Sequence, residues 1–123
     1  MVRRRQTKST NPDLVGLIRM LKKKSNQNQA PIWRDVAERL CKPKRRRIAV
    51  NVSRITRNTT ENDKVVVPGK VLGAGIIRHP VNVAALGFSD QARKKIVKAK
   101  GKCMTIAEMA EANPKGTGVK IIG

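Results

Sequence analysis

Basic side chains outnumber acidic ones by 28 to 8, and that imbalance limits what the chain can fold into more than any other feature. The formal net charge is +20 at pH 7. Self-repulsion on that scale opposes compaction, so a fold that carries it calls for a polyanion to cancel it. Nucleic acid is the usual one. The excess is uneven. Residues 1–57 hold 17 bases and 3 acids, a net of +14, whereas residues 58–123 hold 11 bases and 5 acids, a net of +6. The partner-facing surface is therefore expected to weigh toward the N-terminal half.

Aromatic residues are nearly absent: Trp33 and Phe88 are the whole supply, with no tyrosine. The core must be aliphatic, and 123 residues with a 39% hydrophobic share suit one modest domain. The same scarcity restricts the mode of binding. Single-strand platforms stack bases on Phe, Tyr and Trp, and Trp33 falls on an apolar helical stripe. Binding is therefore expected to address phosphates and the shape of folded RNA, for which arginine is well suited. No apolar run approaches the roughly 20 residues of a membrane-spanning helix. The Arg-rich start has no apolar segment behind it, so it does not read as a secretory signal. Cys41 and Cys103 lie far apart and read as reduced intracellular thiols.

The spacing predicts an α/β, mixed architecture: an N-terminal basic helical hairpin followed by a compact domain of short strands and helices. Residues 1–11 are polar and basic and read as a flexible arm; residues 12–123 read as a single domain, with the hairpin at 12–42 and the core at 48–123. Asn11, Pro12 and Asp13 suit a helix start. Leu14, Leu17, Ile18 and Leu21 then mark one helical face, which the polar tract from Ser25 is expected to end. Pro31 opens a second helix with Trp33, Val36, Ala37 and Leu40 on its stripe, Glu38 able to pair with Lys42, and Pro43 as its stop. A strand is predicted through Ile48, Val50 and Val52. Lys64–Val67 reads as another, Pro68–Gly69 as the centre of a type II turn, and Val71–Leu72 as a strand interrupted by Gly73–Ala74–Gly75 and resumed at Ile76–Ile77. Val81, Val83 and Ala85 alternate in a further strand. Ser89 caps a helix ending near Gly101, Thr105 with Glu108 forms a capping box, Asn113–Pro114 ends that helix, and Val119–Ile122 closes the chain as a strand.

Motifs that could carry chemistry fall short of it. Gly73–Ala74–Gly75 lacks the third glycine of a dinucleotide loop and the Gly-Lys-Ser/Thr of a phosphate loop, so a bulge or close backbone approach explains it. His79 is the only histidine, and catalysis needs an oriented partner for it; contact with RNA, beside Arg78, fits better. The two cysteines have no ligand spacing between them, so no metal site is expected. Asp35 and Glu38 fit the charge preference of an early helical turn. Lys44–Arg47 could be a solvated face or a nuclear import signal, but beside a basic arm and a basic helix it favours nucleic-acid contact. Arg93 to Lys102 carries six bases whose spread covers more than one side of a helix.

The run from Glu38 to Ile55, ERLCKPKRRRIAVNVSRI, resembles the signature of the archaeal and eukaryotic large-subunit ribosomal protein family "eighteen-e", the counterpart of large-subunit protein fifteen in bacteria. Leu40, Pro43, Lys44, Arg47, Val50, Asn51, Val52, Arg54 and Ile55 fall where the pattern expects them; Ile48 departs, since the family favours proline or a small residue there. The stretches DKVVVPGKVLGAG at 63–75 and VNVAALGFS at 81–89 are similar to the family's core as well. Without long extensions the chain is more similar to an archaeal member. The resemblance implies irregular strand-strand-helix turns wound into a short superhelix. It also implies binding to large-subunit ribosomal RNA in the cytoplasmic ribosome beside neighbouring large-subunit proteins. Neither catalysis, a cofactor, a small-molecule substrate nor a membrane is expected. By matching position it assigns RNA contact to Arg3, Arg4 and Arg5 and to Lys44, Arg45, Arg46 and Arg47. The charge pattern adds Lys8, Arg19, Lys22, Lys23, Arg54, Arg57, Lys70, Arg78, His79, Arg93, Lys94, Lys98 and Lys115. A DNA-compacting protein fits the charge alone; a small nuclease is opposed by the sparse acids and single histidine.

Overall fold

In a computed structural model of the protein, residues 12–41 and 49–122 are described. The expectations for Arg3, Arg4, Arg5, Lys8 and Asn11, for the arm, and for Lys42, Pro43, Lys44, Arg45, Arg46, Arg47 and Ile48 lie outside them. The described residues form helices α1 (Pro12–Asn28), α2 (Pro31–Leu40), α3 (Val52–Arg57), α4 (Asp90–Lys98) and α5 (Ile106–Ala112). The strands are β1 (Ala49–Asn51), β2 (Asp63–Leu72), β3 (Val81–Phe88), β4 (Lys102–Thr105) and β5 (Val119–Ile121). The α/β class holds.

Every strand pair is parallel. The order is β1-β2-β3-β4, and β5 pairs with the first half of β2 while β1 pairs with its end. Parallel neighbours need crossovers, and these cover both faces. Along β2 and β3 the period of two divides the core. Val65, Val67, Val83 and Ala85 pack with Val52 and Ile55 of α3 and with Ala92 and Ile96 of α4. Val66 and Ala84 pack with the stripes of α1, α2 and α5: Leu14, Ile18, Leu21, Trp33, Val36, Leu40, Ile106 and Met109. Val65–Val66–Val67 is thus buried on both sides, the signature of a central parallel strand. The result is a three-layer sandwich with α1, α2 and α5 on one side and α3 and α4 on the other.

Caps behave as the residues dictate. Ser89 Oγ accepts from the Ala92 amide at 3.1 Å, and the Thr105–Glu108 box is complete. Helix α4 closes with the Lys100 amide on Val97 O and the Gly101 amide on Ile96 O, both at 2.9 Å. The left-handed residue there is Lys100 (φ 68), not the glycine.

Four local expectations need correction, and one strand was missed. Helix α1 does not end at Ser25 but runs to Asn28. Ser25 falls four residues after Leu21 on the buried stripe, and the stop comes at Gln29 (φ 50), where the Ala30 amide reaches back to Ser25 O at 3.0 Å. The strand at 48–53 is only β1. After Val50 the period lengthens, and Val52 and Ile55 are both buried as a helical pair. Pro68–Gly69 is not a turn: β2 runs through it with a register shift between Val67 and Lys70. On its other edge the partner changes there from β5 to β1, so the missing proline N–H breaks no ladder. Ile76–Ile77 resumes no strand. Strand β4 was not foreseen, because Lys-Cys-Met-Thr at a sheet edge shows neither alternation nor an apolar run.

Candidate nucleic-acid interface

The interface candidates fall on both outer layers. Arg19 and Lys23 are exposed on α1 and Lys22 is half-buried beside them. Arg54 and Arg57 are exposed on α3, and Arg93, Lys94 and Lys98 on α4. Lys70 is exposed after the bulge in β2, Arg78 in the loop before β3, and Lys115 in the loop after α5. The fold therefore does not gather them into one patch, because α1 and the α3–α4 pair lie on opposite sides of the sheet.

The two layers are unequal in charge. Helices α1, α2 and α5 carry six bases and five acids, a net of +1; α3 and α4 carry six bases and one acid, a net of +5. Of the +14 in residues 1–57, nine lie in residues 1–11 and 42–48. Among the described residues, three acids meet bases outside the candidate set. Asp35 meets Arg39 at 3.1 Å, Glu38 meets Arg34 at 3.8 Å, and Asp63 meets Lys120 at 2.9 Å. Glu38 thus faces Arg34 in the preceding turn, whereas its expected partner Lys42 lies outside the described residues. The Lys120 ammonium, followed by the Thr60 backbone amide, holds the Asp63 carboxyl below the ordinary carboxylate value.

The connection from β2 to β3 is tied down from both flanks. Lys95 Nζ lies 2.6 Å from both Gly73 O and Gly75 O, so this base of the 93–102 stretch serves the fold. The Ser53 amide donates to Ala74 O at 3.2 Å and Thr56 Oγ1 to Ile76 O at 2.8 Å. Gly75 has φ 96, and a Cβ there would stand 2.3 Å from Ser53 Cβ. Close backbone approach explains the Gly-Ala-Gly motif. Farther along, His79 is half-buried, with Nε2 2.8 Å from Thr59 Oγ1. Thr59 donates its single hydroxyl proton to Ile55 O at 2.6 Å, so the ring must donate through Nε2–H. That engages Nε2 inside the fold and leaves Nδ1 as the ring's other polar atom.

One base is held by an aromatic ring. The Arg93 guanidinium carbon sits 5.4 Å from the centroid of Phe88, the last residue of β3. Arg93 also faces β4: burial pushes the Cys103 thiol up, and the Arg93 charge partly opposes it. Cys41 and Cys103 form no disulfide and pack against different core clusters. Reading the sequence alone assigned Phe88 no role beside Arg93; the five-residue gap across a strand end and a helix start carried no periodicity to reveal it. Exposed Lys64, Lys100 and Lys102 were also left out of the candidate set, although the last two lie in the basic stretch.

Among the described residues no group of three or more His, Cys, Asp and Glu side chains comes together as a metal site, and no helix is long and apolar enough to cross a membrane. What the fold and its surface define is a strongly basic three-layer α/β protein whose outer helices expose cationic side chains. A family profile described as "Ribosomal protein 60S L18 and 50S L18e" matches residues 1–123. The chain is 52% identical over 115 residues to "Large ribosomal subunit protein eL18" of Archaeoglobus fulgidus, covering 94% of this chain and 98% of that protein. It is 52% identical over 118 residues to the protein so named in Methanothermobacter thermautotrophicus, covering 96% and 98%. With the one in Methanoregula boonei it shares 48% over 118 residues, covering 96% and 98%. The chain belongs to this ribosomal protein family, as the resemblance at Glu38–Ile55 implied.

Proposed function

We propose that the chain is a structural constituent of the large ribosomal subunit in the cytoplasm, where it binds and stabilises folded large-subunit ribosomal RNA by contacts to the phosphate backbone. Its other partners are neighbouring large-subunit proteins, and it performs no catalysis. Residues 12–123 act as one domain and residues 1–11 as a basic arm. The observation that carries this reading is the +20 charge, 28 bases set against 8 acids. Membership of the family supports it. Contacts are assigned to Arg3–Arg5, Lys8, Arg19, Lys22, Lys23, Lys44–Arg47, Arg54, Arg57, Lys70, Arg78, His79, Arg93, Lys94, Lys98 and Lys115.

The mechanism is phosphate neutralisation with release of condensed counterions. With about 6 to 10 phosphate contacts, affinity drops by about 10³ to 10⁵-fold between 50 and 200 mM salt. Titration of the purified chain against a large-subunit ribosomal RNA transcript, with duplex DNA as competitor, checks this. A flat salt response overturns the mechanism, and equal affinity for the duplex turns the reading toward general nucleic-acid packaging.

A further inference from the structure

We infer that Arg93 is a pre-ordered phosphate clamp, a guanidinium that Phe88 holds in place for two-pronged contact with one phosphate of folded RNA. This deepens the proposed function and rests on it. Three observations converge. Arg93 is exposed on the more cationic layer, and among the described residues it pairs with no carboxylate. Its guanidinium lies against Phe88, one of only two aromatic residues in the chain. Phe88 is itself half-buried against the core of Val71, Val83 and Ile96, so the ring is anchored.

The chemistry then separates Arg93 from its neighbours. A free lysine or arginine on a helix surface loses rotamer entropy when it meets a phosphate. Contact with the ring restricts Arg93 before RNA arrives, and the guanidinium's donors lie in a planar fork that matches two phosphate oxygens. Lys94 and Lys98 on the same helix are exposed point charges without such a support. Arg93 therefore contributes geometry as well as charge, and Phe88 is a positioning residue.

The test uses the full chain and a large-subunit ribosomal RNA transcript, with affinity measured across a salt series and thermal unfolding as a fold control. Arg93→Lys keeps the charge, so the salt slope stays unchanged while affinity falls about tenfold, the loss of one charge-assisted hydrogen bond. Phe88→Leu keeps an apolar residue against the core and weakens binding in the wild-type background but not in Arg93→Ala, because its effect passes through Arg93. Wild-type affinity in Arg93→Lys overturns the clamp, as does a Phe88→Leu penalty of equal size with and without Arg93. If Phe88→Leu does not fold, Arg93→Lys alone decides. Failure of the wild-type chain to bind the transcript rejects the proposed function itself, a separate outcome.

Discussion

Gly101 follows the left-handed Lys100 at the end of α4, where the chain passes so close to the start of β3 that an added Cβ would stand 2.3 Å from Val81 O. Backbone cannot give way as a flexible side chain can, so Gly101→Ala should lower stability by about 2 kcal/mol or more. Gly16 is the opposite case. It is exposed within α1 and a Cβ there meets nothing within 4 Å. Gly16→Ala should raise stability by about 0.5–1 kcal/mol through helix propensity. Chemical denaturation of the two variants side by side checks both signs. Trp33 shows how a residue can be read correctly for burial and missed for bonding. The stripe placed it in the core, yet its indole N–H also reaches Pro114 O at 2.9 Å and Asn113 O at 3.2 Å, 80 residues away in sequence. No local pattern encodes so distant an acceptor.

At the scale of elements, legibility follows the range of the determining interaction. The helices α2, α4 and α5 were readable because stripe, cap and breaker all act within a turn or two. Helix α3 was not, since Val50-Asn-Val52 reads as alternation until Ile55 shows the longer period, and only packing against β2 decides. The bulge at Pro68–Gly69 was likewise hidden: proline and glycine have the same local preferences in a turn and in a strand whose partner changes beside them. Two ties between elements give predictions. Lys95→Met removes the ammonium that holds Gly73 O and Gly75 O to α4. It should cost about 1–3 kcal/mol and speed hydrogen exchange at the Ser53 amide, which depends on Ala74 O; unchanged exchange would show the loop held without it. Asp63 joins β2 to β5 through Lys120 and titrates below the ordinary carboxylate value of 3.8 in the fold. Its contribution is complete above that value and is lost as pH falls through it toward the lower folded value. In acid titrations Asp63→Asn should therefore unfold with a shallower dependence on pH below about 4.

For the whole molecule, the charge explains both what the fold tolerates and what it is for. A sandwich with +5 on one helical layer, +1 on the other and +9 in residues 1–11 and 42–48 gains nothing from those cations in isolation. The cost disappears only when phosphates supply the missing anions, and three sets of variants separate the contributions. Replacing Arg45, Arg46 and Arg47 with alanine should weaken binding to the ribosomal RNA transcript and leave folding intact. Every phosphate that is no longer neutralised should also flatten the plot of log affinity against log salt by about 0.7 to 0.9. Arg54 with Arg57, and Arg19 with Lys23, test the two helical layers in the same way. Because these layers face apart, one phosphate cannot serve both, and their penalties should add in the combined variant. If α3 alone faced RNA, the α1 pair would change neither affinity nor slope, and the binding surface would shrink to one side of the sheet. If all three sets left both quantities unchanged, the cations would be no more than a solvated surface.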